Sequence, residues 1–158
     1  RWLMDDPDDY YETAQTIWPT RASLGGDSQN PALYILKTHK GIVVTIQTWF
    51  SLHGQYDIQL EVVCDDGMIN FPAFQQPRVR RDGADGHDIP LNHLVRFKEA
   101  FDIELQAWVN GILAGKNVTG ASAWDAYIDC CACDAMAKSI DTKGIELCEY
   151  APTPAFYK

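Results

Sequence analysis

Residues 32–50 read Ala32-Leu33-Tyr34-Ile35-Leu36-Lys37-Thr38-His39-Lys40-Gly41-Ile42-Val43-Val44-Thr45-Ile46-Gln47-Thr48-Trp49-Phe50, and this stretch decides the fold. Two runs rich in β-branched and aromatic residues flank Lys37-Thr38-His39-Lys40-Gly41, which reads as a tight hairpin. Successive strand side chains point to opposite faces. Ile42, Val44, Ile46, Thr48 and Phe50 therefore share one face, and Val43, Thr45, Gln47 and Trp49 the other. The first is a core face that helices can cover. The second is half polar yet carries Val43 and Trp49, a mixture suited to a protein interface or a wet binding surface.

Outward from this hairpin, Thr13 to Thr20 reads as a strand before it and Tyr56 to Cys64 as one after it. In the latter, Tyr56, Ile58, Leu60, Val62 and Cys64 oppose Asp57, Gln59, Glu61 and Val63. Cys64-Asp65-Asp66-Gly67-Met68 predicts a second hairpin, with Asp66-Gly67 supplying positive φ. Met68 to Phe71 and Arg78 to Arg81 add short strands, placed near an edge by Pro72 and Pro77. The hydrophobic period then changes. Leu94, Phe97, Phe101, Leu105, Trp108 and Ile112 recur every three or four residues, which predicts an amphipathic helix ending near Gly115. A second helix is capped by Ser122 with Asp125 three residues on. Its stripe is Trp124, Tyr127 or Ile128, Cys131 and Ala135. Lys143 to Cys148 alternates as a last strand. The expectation is one α+β domain over residues 1–158, a mainly antiparallel open sheet with helices on one face.

Composition narrows the function. At 158 residues, 46 % apolar and 22 % charged, the chain has the length and make-up of one globular domain. No apolar run is long enough to span a membrane. The net charge of −9 repels phosphate backbones, and the single basic cluster, Arg78, Arg80 and Arg81, is answered by nearby aspartates, so no nucleic-acid partner is expected. Five cysteines is an odd count. Three crowd into Cys130-Cys131-Ala132-Cys133 without a second ligand pair, so they read as buried thiols on a packed helix face in a reducing cytoplasm, not as a metal site.

Motifs for chemistry are sparse. Gly25-Gly26 and Gly83 to Gly86 lack the strand-loop-helix context of a phosphate loop. Gly120-Ala121-Ser122-Ala123-Trp124 is no nucleophile elbow. His39, His93 and the pair His87-Asp88 read as ordinary surface residues. His53, Gln55 and Tyr56 stand out, because they cluster where a strand begins after Gly54, a place where side chains commonly face ligands.

Several pieces, in order and spacing, resemble the C-terminal domain of the Gfo/Idh/MocA oxidoreductase family, in its inositol dehydrogenase-like branch. They are Arg1-Trp2-Leu3, Tyr11-Glu12-Thr13-Ala14-Gln15, Gly54-Gln55-Tyr56-Asp57-Ile58-Gln59-Leu60-Glu61-Val62-Val63, Arg96-Phe97-Lys98-Glu99-Ala100-Phe101-Asp102-Ile103-Glu104-Leu105-Gln106-Ala107-Trp108, Ala123-Trp124-Asp125-Ala126-Tyr127 and Pro154-Ala155-Phe156-Tyr157-Lys158. The resemblance covers essentially the whole chain. It implies NAD-dependent oxidation of a polyol or sugar ring hydroxyl to a ketone. It also implies that the N-terminal Rossmann domain, the Lys of a Glu-Lys-Pro motif and the Asp-x-x-x-His catalytic pair lie outside this chain. No catalytic or cofactor-binding residue is then expected here, and the chain alone should be inactive. The family's substrate-contacting Tyr matches Tyr56, with Gln55 and His53 beside it in forms that differ from the usual motif. A homo-dimer or homo-tetramer through the open sheet face is implied as well. The alternative is a free-standing assembly module that uses that face for binding alone.

Overall fold

The computed structural model describes residues 4, 6, 8–17, 32–49, 56–71, 79–86, 90, 92–116 and 120–157, and the fold is α+β. In chain order the elements are β1 (Tyr11–Ile17), β2 (Ala32–Thr38), β3 (Val43–Thr48), β4 (Leu60–Cys64), β5 (Gly67–Phe71), β6 (Val79–Arg81), β7 (Ala84–Gly86), α1 (His93–Arg96), α2 (Lys98–Leu113), α3 (Ala123–Thr142) and β8 (Glu146–Leu147), followed by a 3₁₀ turn at Ala155–Tyr157. They fall into two compact units, one of Arg1–Ser51 with Thr119–Lys158 and one of Leu52–Val118.

The first unit is an antiparallel sheet in the order β3-β2-β1-β8 with α3 against it. The β2–β3 hairpin closes as its sequence predicts: the Gly41 N–H donates to the Thr38 carbonyl at 3.0 Å and the Thr38 N–H to the Ile42 carbonyl at 2.8 Å. Gly41 has φ 97°, a conformation that a side chain would strain. Ala14 pairs with Leu36 and Leu36 with Val44, so these three share the face that α3 covers. Val43, Thr45 and Gln47 lie on the opposite face, as the alternation requires.

The buried stripe of α3 is Ile128, Ala132, Ala135 and Ser139, spaced four, three and four apart. It runs through Ala132, not through Cys131 as expected. Cys130 and Cys133 are exposed and Cys131 is half-buried, which corrects the reading of the cysteines as core thiols. Small alanines let the helix sit close to β1, and a rotation of one residue moves the thiols off the contact. Ser122 and Asp125 form the predicted capping box, each side chain bonding the other residue's backbone N–H. At the far end Ser139, fully buried, accepts the Thr16 N–H at 2.9 Å and donates to the Gly144 carbonyl at 2.6 Å. Thr16 Oγ1 in turn donates to the Met136 carbonyl at 2.8 Å.

Entry to the sheet is fixed by Asp9, only 1 % exposed. Its Oδ1 accepts the Tyr10 N–H and the Lys40 N–H, both at 3.0 Å. Burial pushes this carboxyl up, but the Thr38 hydroxyl and the two backbone N–H groups outweigh that and hold it below the usual aspartate range.

The second unit differs from its sequence reading. The run expected to be one long strand from Tyr56 is extended into a ladder only at Leu60–Cys64, and β4 pairs with β5 in a two-stranded sheet. At that hairpin the turn residues are Asp65 and Asp66, and Gly67 closes the ladder opposite Cys64 at φ 159°. Among the described residues, two successive positive φ values occur at Asp82-Gly83, 54° and 78°, in the turn joining β6 to β7. The predicted helix is broken at Phe97 into α1 and α2, and α2 ends at Leu113, two residues before Gly115, φ 62°. No residue of α2 is buried: Phe101, Leu105, Trp108 and Ile112 follow helical spacing but remain exposed.

Candidate functional site

Tyr56 is the one member of the predicted His53, Gln55 and Tyr56 group that can be placed; His53 and Gln55 lie outside the described residues. Its N–H donates to the carbonyl of buried Pro90 at 3.0 Å. That bond draws residue 56 against the segment leading into α1, where Asn92 caps the helix by accepting the Val95 N–H at 3.1 Å. The Tyr56 ring, half-buried, meets His93 at a centroid distance of 5.9 Å and 57°, and Phe97 edge-on at 6.2 Å and 88°. Both are ordinary aromatic geometries. The Arg96 guanidinium carbon lies 5.0 Å from the Phe97 ring centre. A phenol, an imidazole and an apolar ring thus gather from segments 37 residues apart in the case of Tyr56 and His93.

The sequence gives no reason to link these two. His93 reads as a surface residue near a helix start, and nothing in its spacing from Tyr56 is periodic. The signal that exists is Asn92, a cap residue whose position fixes where α1 begins and so which residue leads it.

Other candidates resolve as structure. His39 stacks on Tyr10 at 5.0 Å and 7°, with Nδ1 4.0 Å from Glu12. Tyr150 donates its hydroxyl to the Tyr11 carbonyl at 2.6 Å, and burial, with Cys148 beside it, pushes that phenol far up. Burial and the neighbouring Cys130, Asp129 and Asp134 raise the Cys133 thiol, and a protonated thiol is a poor nucleophile. Among the described residues no group of three metal-ligating side chains comes together, and no helix is long and apolar enough to cross a membrane.

No family model matches the chain. It is 30 % identical over 158 residues to the inositol 2-dehydrogenase/D-chiro-inositol 3-dehydrogenase of Shouchella clausii, covering 99 % of this chain and 45 % of that protein. It is 33 % identical over 159 residues to the inositol 2-dehydrogenase of Ralstonia nicotianae, covering 100 % of this chain and 46 % of the relative. Among solved structures, myo-inositol dehydrogenase from Lactobacillus casei in complex with NAD(H) and myo-inositol superposes with a TM-score of 0.83 at 27 % identity, over 99 % of this chain and 46 % of the other. The scyllo-inositol dehydrogenase of the same organism shares the fold at a TM-score of 0.77 and 19 % identity, over 88 % of this chain and 42 % of the other. The chain spans somewhat under half the length of these relatives, and it is similar to these inositol dehydrogenases along essentially its whole length.

Proposed function

We propose that the chain is the C-terminal, substrate-binding and assembly domain of an NAD-dependent polyol dehydrogenase that oxidises a ring hydroxyl of an inositol to the ketone. The observation that supports this most is the match, over 99 % of the chain, to a solved enzyme holding NAD(H) and myo-inositol. In this reading Tyr56 orients a substrate hydroxyl through its phenol, with Gln55 and His53 beside it.

The described residues do not fit the nucleotide. Pyrophosphate binding uses the free backbone N–H groups at a helix N-terminus after a glycine turn. No glycine among the described residues directly joins a strand to a helix. At α3 the capping box fills the first turn with the Asp125 carboxylate, a charge that repels phosphate. In this proposal NAD, and the residues that move the proton and the hydride, belong to the rest of the full-length protein, since the chain spans under half the length of its relatives.

The open sheet face is the assembly surface in this proposal. Val43, on the side of β3 that α3 does not cover, is 62 % exposed, and Trp49, the residue after β3, is 57 % exposed; a two-fold pairing of identical faces is the commonest closed arrangement. The deciding experiment is kinetics of the full-length protein with NAD and inositols. Tyr56→Phe removes one substrate hydrogen bond and should lower kcat/KM by roughly tenfold, about 1.4 kcal/mol. An unchanged variant strips Tyr56 of its role, and absence of inositol oxidation overturns the reading.

A further inference from the structure

We propose that His93 is a second substrate-positioning residue, which binds a ring hydroxyl of the polyol adjacent to the one held by Tyr56; this rests on the polyol dehydrogenase reading above. Three observations carry it. The Tyr56 and His93 rings are neighbours, at 5.9 Å between centroids. The Tyr56 N–H bond to Pro90 and the Asn92 cap fix the backbone on both sides of that contact. His93 is exposed, so its imidazole is not consumed by packing, while half-buried Tyr56 and Phe97 supply an aromatic wall behind it.

The chemistry suits a cyclic polyol. Each ring hydroxyl is both donor and acceptor, and its C–H face is apolar. A phenol hydroxyl and a neutral imidazole each offer one donor and an acceptor site, so neighbouring Tyr56 and His93 can address two adjacent hydroxyls. Phe97 and the Tyr56 ring present surfaces for the C–H face. Inositol stereoisomers differ only in which hydroxyls point up or down. A side chain that binds one hydroxyl therefore discriminates among them, whereas one that only packs does not.

The test uses the full-length protein with NAD and three substrates: myo-, scyllo- and D-chiro-inositol. His93→Ala should raise KM for the preferred inositol roughly three- to tenfold, the size of one hydrogen bond, with kcat changed less than about twofold. It should also change the ratio of kcat/KM between stereoisomers by roughly threefold or more, and His93→Gln, which keeps a donor and an acceptor, should recover much of both. An equal loss for all three inositols, or KM and stereoisomer ratios unmoved by His93→Ala, overturns the proposal. If Tyr56→Phe impairs inositol oxidation while His93→Ala does not, the proposal falls and the polyol reading stands. If no inositol is oxidised, both fall together.

Discussion

Ser139 of α3 accepts the Thr16 N–H of β1 at 2.9 Å, a bond between residues 123 apart in sequence. Both residues are buried, and Ser139 also donates to the Gly144 carbonyl at 2.6 Å. One hydroxyl therefore ties the helix, the central strand and the turn into β8. Ser139→Ala leaves a buried N–H and a carbonyl without that partner, which costs about 1–3 kcal/mol. Urea unfolding should show a lower midpoint with an unchanged slope. A midpoint equal to that of the parent would mean that water replaces the hydroxyl.

Asp9 makes stability fall in acid. Its folded-state pKa lies below the ordinary aspartate value, so its contribution is complete above that ordinary value and is lost as pH falls through the depressed one. Lys40, raised first by its hydrogen bond to Asp6 at 2.6 Å, behaves oppositely: its contribution is complete below the ordinary lysine value and is lost as pH rises through the raised one. Asp9→Asn should flatten the acid limb of a midpoint-against-pH curve and change the alkaline limb far less, because Asp9 is the smallest of the influences that raise Lys40. An acid limb of the parent's steepness in Asp9→Asn would assign the effect to other carboxylates.

These devices show how far the sequence could be read. The hairpin at Lys40-Gly41, the two faces of β3 and the Ser122–Asp125 box were legible because each depends on neighbours within a few residues. The register of α3 on the sheet was not. Trp124, Tyr127, Ile128, Cys131 and Ala135 are compatible with two stripes about 100° apart, and the choice is made by what small side chains allow against Ala14 and Leu36. Helical spacing in α2 was legible too, yet Phe101 and Trp108 are exposed, because periodicity marks the apolar side of a helix and says nothing of what covers it. At the candidate site Tyr56 came from its motif. The Tyr56–His93 contact is tertiary and left no local trace.

The thiols give a simple reading of surface and charge. All five cysteines are free, so titration of the denatured, unreduced protein should count five. In the native state Cys64 and Cys130 are exposed and should react with a disulfide reagent before half-buried Cys131 and Cys148, and before Cys133, whose thiol is raised by burial and neighbouring charges. Burial raises the Cys148 thiol, only partly offset by its hydrogen bond with Tyr150. The reactive form is the thiolate, so its modification should accelerate with pH into the alkaline range. Fewer than five thiols, or Cys148 reacting first at neutral pH, would contradict this arrangement.

Self-association tests the open sheet face. Leu36 pairs with Val44 on the side facing α3, and Lys37 pairs with Val43 on the other, so Val43, Thr45 and Gln47 present one surface to solvent, and exposed Trp49 follows directly after the strand. Trp49 at 57 % exposure and Val43 at 62 % are large apolar groups whose burial is worth about 1.5–3 kcal/mol each, the kind of anchor on which interfaces depend. Trp49→Lys removes one anchor and places like charges face to face across a two-fold axis. Val43→Lys adds a second cation beside Lys37. Either change should weaken association at least roughly tenfold, about 1.4 kcal/mol. Sedimentation of the full-length protein at micromolar concentration measures it, with Val63→Lys on β4 as a control, since that residue is exposed but lies outside this sheet. Loss of mass in the Val43 and Trp49 variants and not in the control assigns assembly to the surface at β3. Parental mass in both of these variants removes that assignment and leaves the half-polar face as solvated surface.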